Sequence, residues 1–184
     1  MNREMFRLIE EYRGDRLIKL GEGKGPVPLS NGKFIVHLVP EQTLLNPALE
    51  FNISKLLDDV SALPFFGDKN HPGSLEHNLE GRICRSTAFG DSIISYVQFF
   101  RNGAVEAVEN FYLNREDPEF PPFDFEEELF TRTAYYLEQM GRLGVNYPVF
   151  FLLSILGAEK YRLNGHPFQK SEMHFPPKEF TAEQ

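Results

Sequence analysis

Ser92-Ile93-Ile94-Ser95-Tyr96-Val97-Gln98-Phe99-Phe100, Arg101-Asn102-Gly103 and Ala104-Val105-Glu106-Ala107-Val108-Glu109-Asn110-Phe111-Tyr112-Leu113 read as two β-type runs around a turn. Asn-Gly tolerates the positive φ that a tight reversal needs, so between strand-forming runs it predicts a hairpin. In the second arm Ala104, Glu106 and Val108 fall on one face and Val105, Ala107 and Glu109 on the other. Polar and apolar residues do not alternate cleanly there, so the pattern leaves the register open.

Working outward, Arg82 to Thr87 predicts a short strand ahead of the hairpin. Lys33 to Val39 is the most apolar run in the N-terminal half, with Phe34, Ile35, Val36, Leu38 and Val39. Its near-continuous apolarity predicts a central strand covered on both faces, ended by Pro40. Asn31-Gly32 marks a turn before it. Arg3 to Leu20 predicts a helix on Met5, Leu8, Ile9 and Tyr12, continued less cleanly by Leu17 and Leu20. Gly21, Gly23, Gly25, Pro26 and Pro28 end it. Asn46-Pro47 is the pattern of an N-cap and first helical residue, and Leu49, Ile53, Leu56, Leu57 and Val60 give that segment a helical stripe. Between residues 61 and 81, Pro64, Gly67, Asp68, Asn70, Pro72 and Gly73 mark loops.

Beyond the hairpin, an acidic connector covers Asn114 to Asp124. A helix is expected from Phe125 to Leu143, with Glu126, Glu127 and Glu128 in its first turn, where the helix dipole favours negative charge. Leu129, Thr133, Tyr136, Leu137 and Met140 form its inner stripe, and Gly141 and Gly144 end it. Val149 to Leu156 fits a strand and a short helix equally. Tyr161 to Leu163 reads as a final short strand. Together these elements predict an α+β protein: a mainly antiparallel sheet of four to five strands with two to three packed helices. The organisation is one domain over residues 1–184, with residues 1–25 as an N-terminal helix and linker and residues 165–184 as an extended tail.

The chain has 184 residues, enough for one sizeable core, with 18 Phe and no Trp. A single cysteine, Cys84, precludes an intramolecular disulfide. No apolar leader opens the sequence, and Val149 to Leu156 is too short to span a bilayer. We read the chain as cytoplasmic and without a membrane partner. The net charge is −8, and residues 101–184 carry eight basic against fourteen acidic residues. That balance argues against nucleic-acid binding by this chain alone, because phosphate binding needs a basic face.

No catalytic centre is expected. Gly21-Glu22-Gly23-Lys24-Gly25 reads as a flexible connector, with a ligand loop as the alternative, since it follows a helix and precedes a strand, the reverse of the order a phosphate loop requires. His37, His71, His77, His166 and His174 lack helical metal-ligand spacing; His71 and His77, near Glu76 and Glu80, read as a solvated loop. His37 reads as a hydrogen-bonded sheet residue. No metal or cofactor is called. The acidic residues around Glu126 lack the order of a calcium loop. Cys84, flanked by Arg82 and Arg85, reads as a small buried apolar group, with a nucleophile as the alternative. Arg82, Arg85 and Arg101, close in sequence to Phe99 and Phe100, are the ligand-contact candidates, because a guanidinium beside aromatic rings can grip a phosphate or stack on a base.

Three stretches also carry a resemblance. They are Phe6-Arg7-Leu8-Ile9 through Arg13, Arg16 and Leu17 to Pro26-Val27-Pro28-Leu29 and Phe34-Ile35-Val36-His37-Leu38-Val39-Pro40; Tyr96-Val97-Gln98-Phe99-Phe100-Arg101-Asn102-Gly103-Ala104-Val105-Glu106-Ala107-Val108; and Pro148-Val149-Phe150-Phe151 through Ile155-Leu156-Gly157. About half the chain thereby resembles the region that follows the Schlafen-type, AlbA-like DNA-binding domain in bacterial transcriptional regulators and ATP-binding proteins. The resemblance implies an accessory role in dimerisation, docking or ligand sensing, within a DNA-binding regulatory or defence protein. Its partners would be an N-terminal AlbA-like domain in the same polypeptide and, as a further assembly, a homodimer. No catalytic residues carry over. The alternative is a small stand-alone enzyme or small-ligand binder with a site near the Arg101 hairpin and the Cys84 strand.

Overall fold

The computed structural model describes residues 3–29, 32–56, 74–87, 93–114, 116, 119, 122–163 and 166–167. The hairpin is formed by β4 (Ile93–Phe100) and β5 (Val105–Glu109). Phe100 N–H donates to the Ala104 carbonyl, and Gly103 N–H to the Phe100 carbonyl, both at 2.9 Å. Gly103 sits at φ 87°, and a Cβ there would meet the Phe51 ring at 2.7 Å. Both conformation and space therefore demand glycine at this turn.

The other strands of the main sheet are β1 (Lys33–Pro40), β2 (Ser74–Asn78), β3 (Gly81–Thr87) and β6 (Val149–Leu156). Their order is β2-β3-β4-β5-β1-β6, and every neighbouring pair is antiparallel. The sheet thus has six strands, above the expected four to five. One addition is β2, in a stretch expected to be loop; its Ser-Leu-Glu-His-Asn composition gave no β signal, and its pairing with β3 supplies the order. The other is β6, which resolves as a strand because all eight of its residues register against β1. A separate small ribbon pairs β7 (Arg162–Leu163) with β8 (His166–Pro167).

Helix α1 (Arg3–Gly21) covers one face of the sheet and α3 (Pro122–Leu143) the other. Leu20, Val27 and Leu29 pack with Ile35, Ile83, Tyr96 and Val108 on the α1 face. Val36, Leu38, Cys84, Val97 and Phe99 pack with Tyr136 and Met140 on the α3 face. Every residue of β1 and β5 is buried, as a strand covered on both faces must be. That cover explains why β5 does not alternate between polar and apolar. The glycine-rich segment after α1 is packed rather than loose, since Val27 and Leu29 are buried and a Cβ on Gly25 would meet Leu20 at 2.7 Å.

The expected helix from Pro47 does not form among the described residues. α2 is the short Glu41–Leu45, and the chain then turns, with a 3-10 turn at Ile53–Lys55. Tertiary bonds override the helical stripe: Phe51 N–H donates to the Arg101 carbonyl at 2.7 Å, and Asn52 accepts from Ser54 N–H. Leu57 and Val60 lie outside the described residues, as do the loop markers from Pro64 to Gly73, His71, Asn31, His174 and the tail beyond Pro167. Helix α3 starts at Pro122, so Glu126 to Glu128 lie one turn further in than expected. At its end, Val145 N–H reaches the Met140 carbonyl and Gly144 N–H the Gly141 carbonyl, each at 3.0 Å, with Gly144 at φ 90°. This double bond pattern satisfies carbonyls that the helix end would otherwise leave open.

Candidate functional site

The densest polar chemistry lies between α1 and the sheet. Strand pairing places His37 of β1 and Gln98 of β4 directly opposite Glu106 of β5. Arg16 projects onto them from α1, one helical step beyond the Met5–Ile9–Tyr12 stripe. Its Nε donates to Glu106 Oε2 and its Nη2 to Oε1, both at 2.7 Å. His37 Nε2 lies 2.9 Å from Oε2, and Tyr96 Oη donates to Oε1 at 2.7 Å. The Arg16 guanidinium also stacks over the Phe100 ring at 4.9 Å, and the Tyr12 ring stands edge-on to His37. Beside the network, Asn78 Nδ2 donates to Gln98 Oε1 at 2.7 Å.

Burial on its own would raise the Glu106 carboxyl; the bonds from His37 and Arg16 outweigh it and hold the group down at about 2. Burial pulls the Arg16 guanidinium down, but Glu106 more than offsets this and raises it. Burial, reinforced by the Glu106 charge, raises the Tyr12 and Tyr96 hydroxyls. Each Glu106 oxygen has two partners, which fills the acceptor capacity of a carboxylate. A general base must reach a substrate proton, and this carboxylate is occupied by its own fold. The open position of the network is His37 Nδ1, which is buried and has no hydrogen-bond partner among the described residues.

A second polar row crosses the α3 face. Ser86 pairs with Ser95 and Ser95 with Glu109 across three adjacent strands, and all three side chains are buried. Among the described residues, the Ser86 and Ser95 hydroxyls and Glu109 Oε1 have no hydrogen-bond partner. Glu109 Oε2 accepts from Tyr112 N–H at 3.1 Å. Burial pushes the Glu109 carboxyl up to about 8; bonds from Tyr112 and Phe111 N–H oppose this and the Glu128 charge adds to it.

The arginines singled out from the sequence do not converge. Arg82 and Cys84 face α3, whereas Arg85 faces the opposite side. Arg82 Nη1 donates to the Leu56 carbonyl at 3.1 Å, Arg85 pairs with Glu76 at 2.9 Å, and Arg101 Nε donates to the Leu79 carbonyl at 3.1 Å. Cys84 is buried, and burial pushes its thiol up to about 12, away from the thiolate a nucleophile needs. Sequence reasoning missed Arg16 and Glu106. Their signal was a charged residue on the inward stripe of a helix and another inside a fully covered strand.

One edge of the sheet is also open. β6 is the terminal strand, and among the described residues no strand pairs with its outer side. Phe151 and the neighbouring Tyr147 are exposed. Among the described residues, no three His, Cys, Asp or Glu side chains gather as metal ligands, and no helix is long and apolar enough to cross a membrane. No family model, curated protein or solved structure matches this chain.

Proposed function

We propose that this chain is a non-catalytic accessory domain of a DNA-binding regulatory or defence protein, contributing association rather than chemistry. The observation that carries the reading is the open edge of the sheet: among the described residues, no strand pairs with the outer side of β6. The Glu106 carboxylate, by contrast, has both oxygens filled inside the fold. The three stretches that resemble the region after AlbA-like domains form α1 with β1, the β4–β5 hairpin, and β6. Those strands are consecutive in the sheet, which supports treating them as one inherited unit. DNA contact belongs to the neighbouring domain in this reading, consistent with the net charge of −8 here.

The test is a mobility shift on mixed-sequence duplex DNA at low salt, comparing this chain with the product of its entire reading frame. The expected result is a shift with the longer product and none with this chain. A frame that opens at Met1, or a longer product that leaves DNA unshifted, would overturn the proposal.

A further inference from the structure

We infer that β6 pairs with β6 of a second copy, joining two sheets edge to edge about a two-fold axis. This deepens the accessory reading by naming the partner. Val149–Leu156 extends for about 27 Å, and an antiparallel strand directs alternate N–H and C=O groups away from its neighbour. With β1 on one side, half of these groups face outward, where among the described residues no strand meets them, so the occupant that satisfies them is another strand.

Natural edges are shielded by charge, proline, bulges or short length. β6 has none of these: Val149-Phe150-Phe151-Leu152-Leu153-Ser154-Ile155-Leu156 has no charged side chain and no proline, and its register with β1 is unbroken. The opposite edge, β2, is five residues long and carries Glu76 and His77, both exposed. Pairing β6 with β2 would also leave an open edge at each end and build a filament, whereas β6 with β6 closes.

The chemistry of the strand selects a second copy. Copies with a net charge of −8 repel, and β6 is a strip on which they meet without opposing charges. A two-fold axis perpendicular to the sheet keeps both α1 helices on one side and both α3 helices on the other. Side chains on the same face must then lie opposite one another, so the axis falls on a residue. Centred on Leu152, the pairing sets Phe151 against Leu153; centred on Leu153, it sets Phe151 against Ile155. Either register covers Phe151, which is 45% exposed in the single chain.

Sedimentation equilibrium across micromolar to submillimolar protein should give a dimer. Phe151→Lys should weaken association about tenfold or more, because it buries a charge at the seam. Phe130→Lys, at an exposed position on α3, should leave it unchanged. Amide exchange gives a second measurement that requires no variant: outward β6 amides should lose protection on dilution while β5 amides keep theirs. A wild-type chain that stays monomeric, or β6 protection independent of concentration, overturns the inference; the latter outcome would mean that the chain covers its own edge. Equal association in both variants overturns it as well. A monomer would leave the DNA mobility-shift result, on which the accessory reading stands, unaffected.

Discussion

Glu106 and Glu109 stand on the same strand, on opposite faces of the sheet, and their carboxyls are shifted in opposite directions. Both are buried. Glu106 meets a guanidinium, an imidazole and a phenol, and its carboxyl is held down at about 2. Among the described residues, Glu109 meets backbone N–H groups on one oxygen and nothing on the other, and its carboxyl is pushed up to about 8. Depth of burial therefore does not decide ionisation here. The partners each face supplies decide it, and among the described residues only the α1 face supplies a cation at bonding distance.

The largest expected effect comes from breaking the charged side of this pair. Arg16→Met keeps much of the apolar stem over Phe100 but strands the Glu106 carboxylate. Removing one member of a buried ion pair costs about 3–5 kcal/mol. Urea unfolding at neutral pH should show that loss. Adding Glu106→Gln should return much of it, because no charge is then left unpaired. If the single variant lost less than about 1 kcal/mol, the network would be solvated in solution and the comparison would fail.

The uncharged side is sharpened through pH. Glu109 is raised from 4.5 to about 8, so between those values the folded protein holds a proton that the unfolded chain releases. Its stabilising contribution is complete below the unfolded value and falls as pH rises, by up to ~1.4 kcal/mol per unit. Glu106, lowered from 4.5 to about 2, acts in the opposite sense: its contribution is present above 4.5 and is lost as pH falls toward 2. Glu109→Gln should flatten the decline between pH 5 and 8, leaving the variant near parity at the acid end and more stable than the parent at the alkaline end. Urea midpoints taken at half-unit steps would read this. A parent whose midpoint does not fall over that range would show that Glu109 ionises freely.

Much of this fold was legible because local chemistry and tertiary structure agree. Asn102-Gly103 makes its turn, Phe34 to Val39 forms a covered strand, and Gly144 ends α3. The sequence misled where the two conflict. Residues 47–56 carry a helical stripe, yet Phe51 N–H is taken by the Arg101 carbonyl. β2 is polar and exists through its pairing with β3. The buried network was the least legible part. Arg16, His37, Tyr96 and Glu106 are far apart in sequence, and each is unremarked alone. The β1–β5–β4 register brings His37 and Tyr96 to Glu106, and the docking of α1 adds Arg16. Arg82, Arg85 and Arg101 show the converse, since closeness in sequence divides residues between the two faces of a strand.

Arg13→Met is the smallest and most discriminating test of what holds α1 to the sheet. Arg13 lies one turn before Arg16, and its Nε donates to Ser154 Oγ at 3.0 Å. The same chemical change is made at both positions, but the partner differs: a neutral hydroxyl reached by a half-buried arginine against a buried carboxylate. Losing the Arg13 bond leaves no buried charge behind, so the cost should be about 0.5–1.5 kcal/mol, as for a single hydrogen bond. Its pair with Glu10, at 3.8 Å and partly exposed, adds little. If Arg13→Met cost as much as Arg16→Met, any interruption of the α1 face would be equally damaging. Docking of the helix would then depend on packing rather than on the Glu106 charge.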